Sequence, residues 1–118
     1  TLEKRIQTAL YLMDHEKWDF FQLHVMETDR INHFLWEYWD NQDETYAPRF
    51  LQFYNRIDEF LGEVADRIDQ DCELVILSDH GEELYDRGDY SSGHGHLNLY
   101  SELTRIPLVM RLPGVLPA

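Results

Sequence analysis

The chain has 118 residues, 43% of them apolar, with three Trp, seven Tyr and six Phe, enough for a single domain with a modest core. This composition excludes a disordered segment. Its 23 acidic against 10 basic residues leave a formal charge of −13, which repels nucleic-acid backbones and anionic membrane surfaces and makes divalent cations the natural counter-ions.

Cys72 is the only cysteine, so neither an internal disulfide nor a cysteine-based zinc knuckle is available. A reducing compartment fits that usage. No apolar run is long enough to span a bilayer, and the opening Thr1-Leu2-Glu3-Lys4 lacks the pattern of a signal peptide. The sequence opens without Met inside a helical pattern, so the expectation is that residues 1–118 are part of a larger protein.

Along the chain, Leu2, Ile6, Leu10 and Met13 recur at helical spacing and predict an amphipathic helix over 2–16. The run Asp19 to Met26 is apolar and rich in β-formers, which predicts a buried strand. Thr28 and Asp29 offer cap chemistry for a helix from about residue 30 through Trp39. Pro48 opens a longer helix in which Phe50, Phe53, Tyr54, Ile57, Phe60, Leu61, Val64 and Ile68 keep three- and four-residue steps. Glu73 to Leu77 reads as an aliphatic strand, and Arg105 to Arg111 as another. Strand, helices, strand, loop, strand is the order of a three-layer α/β/α protein with a mostly parallel sheet. The Gly-, Ser-, His- and acid-rich stretch 79–104 is expected to be a long functional loop.

Three clusters carry chemistry. Ser78-Asp79-His80-Gly81 sits at the C-terminal tip of a predicted strand, where ligands bind in open α/β sheets, and pairs a hard oxygen with an imidazole. A turn capping the strand is the structural alternative. Asp29 and His33, four apart, share one helix face, a spacing that also serves a helix-stabilising ion pair. Ser91-Ser92-Gly93-His94-Gly95-His96 holds two histidines between glycines, which a solvent-exposed loop would also do. His15 and His24 fit no cluster, and His24 is expected to be a core or layer residue. Glu82, Glu83, Asp86 and Asp89 read as a solvated acidic loop, with one of them supporting a ligand from behind as the alternative. Phe34, Trp36, Tyr38 and Trp39 read as core, with the lining of an apolar pocket as the alternative.

Phe20-Phe21 through Glu27-Thr28-Asp29-Arg30-Ile31-Asn32-His33-Phe34-Leu35-Trp36, the long helix, and Ile76-Leu77-Ser78-Asp79-His80-Gly81 together resemble the type I phosphodiesterase / nucleotide pyrophosphatase branch of the alkaline phosphatase superfamily. Ser78 to Leu84 and Tyr100 to Leu108 also look like the sulfatase and phosphonate monoester hydrolase branches. The resemblance covers residues 18 to 114.

It implies a site with two divalent metal ions, zinc or manganese first and calcium or magnesium next, with phosphate or sulfate esters as substrate. In this resemblance residues 1–118 are the metal-binding C-terminal part of a larger hydrolase domain, in which Asp29, His33 and, as the better fit of two loop histidines that the residues alone do not separate, His94 share one ion and Asp79 and His80 hold the other; in the sulfatase branch His96 sits where a residue contacting the substrate anion would be. Ions about 4 Å apart stabilise both attacking and leaving oxygens of an in-line displacement. The family's Thr or Ser nucleophile and its first aspartate precede the motif of Asp29, and no residue here fills either role. Cys72, followed by Glu73 and Leu74, departs from the sulfatase nucleophile motif Cys-x-Pro-x-Arg. The chain by itself is therefore expected to bind metal weakly without turning over, and to depend on the remainder of its own chain as partner.

Overall fold

A computed structural model describes residues 1–84 and 100–116. In chain order it holds α1 (Leu2–His15), α2 (Glu27–Asp40), α3 (Ala47–Ala65), β1 (Leu74–Leu77), α4 (Ser101–Thr104) and β2 (Leu108–Arg111).

The apolar stripe of α1 puts Ile6 and Ala9 in the core, where they meet Phe60 of α3. Leu2, Leu10, Phe21, Leu23 and Val64 close around them. Burying side chains of this size stabilises the fold by about 1.5–3 kcal/mol each. Charges ring the contact: Arg56 donates from Nε to Glu3 at 3.1 Å and from Nη1 to Glu63 at 2.9 Å, and Arg67 Nε reaches Asp14 at 3.0 Å.

α2 packs on α3 through aromatic rings. Trp39 stacks on buried Phe50 at 5.4 Å between centroids, and Trp36 meets the same ring edge-on at 5.9 Å. Trp36 and Trp39 are thus half-buried against α3 without entering the core, whereas Phe34 is 73% exposed and Tyr38 is exposed beside Tyr46. Between the two helices the chain reverses at Gln42, whose φ of 56° is left-handed. Asp43 then accepts the Thr45 and Tyr46 amides at 2.9 and 2.8 Å, satisfying donors at the start of α3.

Several boundaries differ from expectation. α2 begins at Glu27, so Thr28 and Asp29 lie in its first turn, and the Thr28 hydroxyl donates backward to the Val25 carbonyl at 3.0 Å instead of capping. α3 ends at Ala65, short of Ile68. The run Phe20–Met26 belongs to no ladder among the described residues. Phe21, Leu23 and Val25 nonetheless alternate with exposed Gln22, His24 and Met26, the period-2 pattern of an extended segment laid with one face on α1. His24 is thus a surface residue rather than a core one, and its carbonyl accepts Arg5 Nη1 at 3.0 Å.

β1 and β2 run antiparallel, with Leu74 opposite Arg111 and Leu77 opposite Leu108. β2 is shorter than the expected Arg105–Arg111 strand: pairing starts just after Pro107, which has no N–H to give a ladder. Arg111 Nη1 fastens the pair to the preceding turn through the carbonyls of Asp69 and Cys72, at 3.2 and 2.9 Å. Within the stretch expected as loop, residues 101–104 close a helical turn. No helix among the described residues is long and apolar enough to cross a membrane.

Candidate functional site

Asp29 sits in the first turn of α2, where a carboxylate complements the positive end of the helix, and His33 follows one turn later on the same face. His33 Nε2 lies 3.2 Å from Asp29 Oδ1. The loop leaving β1 brings Glu82 to the same point, with Oε1 at 3.9 Å from that nitrogen. The three donor atoms all lie within 4.8 Å of one another. Ligands about 2.0–2.1 Å from a tetrahedral zinc stand about 3.4 Å apart, so the donor set fits a divalent cation in both spacing and chemistry. The Glu82 side chain is 13% exposed, and Asp29 Oδ1 and Glu82 Oε1 are both shielded from solvent.

α3 backs this face of α2. The Tyr54 hydroxyl donates to Asn32 Oδ1 at 2.9 Å, beside His33 in sequence. Burial raises the Tyr54 pKa, the bond to Asn32 opposes that rise, and the Glu82 charge adds to it.

The turn after β1 is built from its own hydrogen bonds. Ser78 Oγ donates to the His80 carbonyl at 2.7 Å, and His80 Nδ1 stands 2.8 Å from the Gly81 carbonyl. A carbonyl only accepts, so Nδ1 carries the proton, and in the neutral ring the lone pair is on Nε2. Histidines that bind metals commonly hold their second ring nitrogen this way. The bond to Gly81 is the main reason the His80 pKa lies above the ordinary histidine value. Desolvation opposes the rise, and the carboxylates of Asp79, Asp29 and Glu82 add to it. The charge of Asp29 thus acts on His80 from outside its own turn.

Gly81 locks this turn to α4. Its amide donates to the Leu103 carbonyl at 2.8 Å, and a Cβ would run into the Glu102 carbonyl oxygen while standing 2.8 Å from that of Arg105. Only glycine lets the two backbones meet so closely. The clamp sets the direction in which Glu82, the next residue, leaves the turn.

Asp29 and His33, paired from their spacing, stand side by side. Asp79 and His80 leave the end of β1 as expected, with His80 Nε2 at 3.8 Å from Asp79 Oδ1 and the Asp79 side chain 77% exposed. His94 and His96 lie outside the described residues. His15 stands apart, stacked on Tyr11 at 4.1 Å. Glu82 is the site residue the sequence reading missed by assigning it to a solvated acidic loop. The signal available was its place directly after Gly81, in a turn already holding two candidate ligands.

No curated protein and no solved structure matches the chain. The family Type I phosphodiesterase / nucleotide pyrophosphatase matches residues 1–100, a span that takes in α1 to β1 and the whole Asp29–His33–Glu82 group. With most of its length accounted for in this way, the chain belongs to that family of hydrolases, within the alkaline phosphatase superfamily.

Proposed function

We propose that the protein hydrolyses phosphate esters, diesters foremost, in a reaction that depends on two divalent metal ions and passes through a covalent ester on a Thr or Ser supplied from outside these 118 residues. The observation that carries this reading is the convergence of Asp29 and His33 from α2 with Glu82 from the turn after β1, beside a histidine whose Nδ1 is committed to a carbonyl.

In this reading Asp29, His33 and His94 hold one ion and Asp79 and His80 the other, while His96 contacts the substrate anion. Bound cations would supply charge stabilisation at the attacking and leaving oxygens. The chain's own part is to keep donors in place. α2 fixes Asp29 and His33 one turn apart, the Gly81 carbonyl orients the His80 ring, and Tyr54 holds Asn32 behind the pair. Family membership favours phosphate over sulfate, and a sulfatase or phosphotransferase of the same superfamily is the second reading, drawn from the resemblance of Tyr100 to Leu108.

The same reading sets the chain in a three-layer α/β/α domain. Supporting it, Val75, Leu77, Leu108 and Val109 leave the β1–β2 pair exposed by 45–60%, apolar surface that the remainder of the chain would cover. The formal charge of −13 speaks against nucleic acid as a partner.

The test uses full-length protein, a chromogenic phosphodiester and its sulfate counterpart. Chelation should abolish phosphodiester hydrolysis, manganese or zinc should restore it, and Asp29→Asn should lower it by 100-fold or more. Hydrolysis that survives complete metal removal would overturn the mechanism, and faster cleavage of the sulfate ester would favour the second reading.

A further inference from the structure

We propose that Glu82 is itself a cation ligand, adding a second carboxylate to the pair of Asp29 and His33 and so moving the ion preference of their site toward manganese and away from zinc. The inference rests on the metal-dependent reading above, adds Glu82 to its ligands and leaves the assignment of His94 untouched.

Distance separates this role from a simple hydrogen bond. His33 Nε2 is 3.2 Å from Asp29 Oδ1, within reach of a charge-assisted contact, but 3.9 Å from Glu82 Oε1, beyond it. Glu82 nevertheless points its oxygen into the pair, where it is shielded from solvent. At 3.9 Å the two atoms stand a little wider than the ~3.4 Å between ligands on one tetrahedral ion, near enough for both to reach it.

Position is the second argument. Glu82 does not reach the pair through a flexible tether, because the residue before it is wedged against the backbone of Glu102 and Arg105 and hydrogen-bonded to Leu103. A carboxylate delivered by a clamped turn, with its side chain 13% exposed, is preorganised in a way that the surrounding surface acids are not. Glu83, one residue further on, belongs to no such group among the described residues.

Charge and hardness decide the ion. A second carboxylate completes the balance of a divalent cation's charge and raises the oxygen share of the donor set, which moves its preference toward manganese or magnesium and away from zinc.

The experiment is calorimetric titration of Mn²⁺ and Zn²⁺ into metal-free full-length protein, comparing wild type with Glu82→Gln, Glu82→Asp and the control Glu83→Gln. The expected result is a loss of Mn²⁺ affinity of about 10- to 100-fold in Glu82→Gln, with a smaller loss for Zn²⁺ and neither change in Glu83→Gln. Glu82→Asp keeps the charge but withdraws it by one methylene and should fall between. Circular dichroism melts of the metal-free proteins verify folding, and Glu82→Asp decides the matter if Glu82→Gln does not fold. Wild-type Mn²⁺ affinity in both Glu82 variants would overturn the role of Glu82 while leaving the metal-dependent reading standing. Equal losses for both ions would overturn the manganese preference, and a wild type that takes up neither ion would overturn the inference together with the reading beneath it.

Discussion

Between α1 and α3 the chain buries Ile6, Ala9 and Phe60 and keeps its ion pairs at the rim. Between α2 and the turn after β1 it does the opposite, directing the oxygens of Asp29 and Glu82 inward beside His33. The first region is arranged as folding alone would have it. The second gathers two carboxylates and an imidazole at a point shielded from water, the donor mix that a divalent cation takes. The difference sets packing that holds the fold together apart from a polar cluster that packing alone does not call for.

Substitution tests that separation most strongly. Phe60→Ala removes a ring that is 4% exposed and should destabilise the protein by about 3–5 kcal/mol in urea unfolding. Glu82→Gln, measured without metal, should cost much less, because it keeps the side chain's shape and weakens only polar contacts such as the 3.9 Å pair with His33. Equal losses in the two variants would break the comparison.

Gly81→Ala probes the joint between the regions. The new methyl group would meet the carbonyl oxygens of Glu102 and Arg105, so the turn or α4 must shift, at a cost of about 1–3 kcal/mol. The shift should also displace Glu82, so Mn²⁺ affinity falls together with stability. A loss of stability with unchanged affinity would show that the clamp supports the fold without aiming the carboxylate.

The two regions were also unequally legible in the sequence. The helices of the apolar region announce themselves through Leu2, Ile6 and Leu10 and through the long run from Phe50 to Val64, because burial along one stripe leaves a 3.6-residue period. The Asp29–His33 pair was legible for a related reason, since four residues on a helix is a local distance. Glu82 was not, because its place depends on a backbone contact between Gly81 and α4 that no local pattern encodes. The run up to Met26, expected as a buried strand, is instead an extended segment buried on one face and in no ladder among the described residues, since a ladder needs a neighbour and composition does not say which segment that is. α4 was hidden inside a polar stretch, where one helical turn held by bonds to Tyr100 and Ser101 leaves no periodicity to read.

Tyr54→Phe sharpens the comparison on the α3 side. It deletes only the hydroxyl that reaches Asn32 and should cost about 0.5–1.5 kcal/mol in thermal unfolding. If Tyr54 does no more than pack, Mn²⁺ affinity stays at the wild-type value. If it holds the α2 face in place, affinity drops and Tyr54→Leu drops it no further.

The smallest effect lies at the rim of the apolar core, where Glu3 meets Arg56. The hydrogen bond from Arg56 is the main reason that the Glu3 pKa lies below the ordinary carboxylate value, with Gln7 and the Arg56 charge adding to it against desolvation. A carboxyl whose pKa is lower in the folded than in the unfolded chain binds its proton less readily when folded. Its contribution to stability is therefore fully present above the ordinary carboxylate value, and is lost as pH falls through the lowered one. Glu3→Gln should flatten the acid limb of the stability profile slightly and leave the neutral plateau almost unchanged, because Glu3 is exposed and solvent screens the pair. High salt should produce the same flattening in the wild type. An acid limb unaltered by the substitution would mean that this rim pair adds nothing to the contact of α1 with α3.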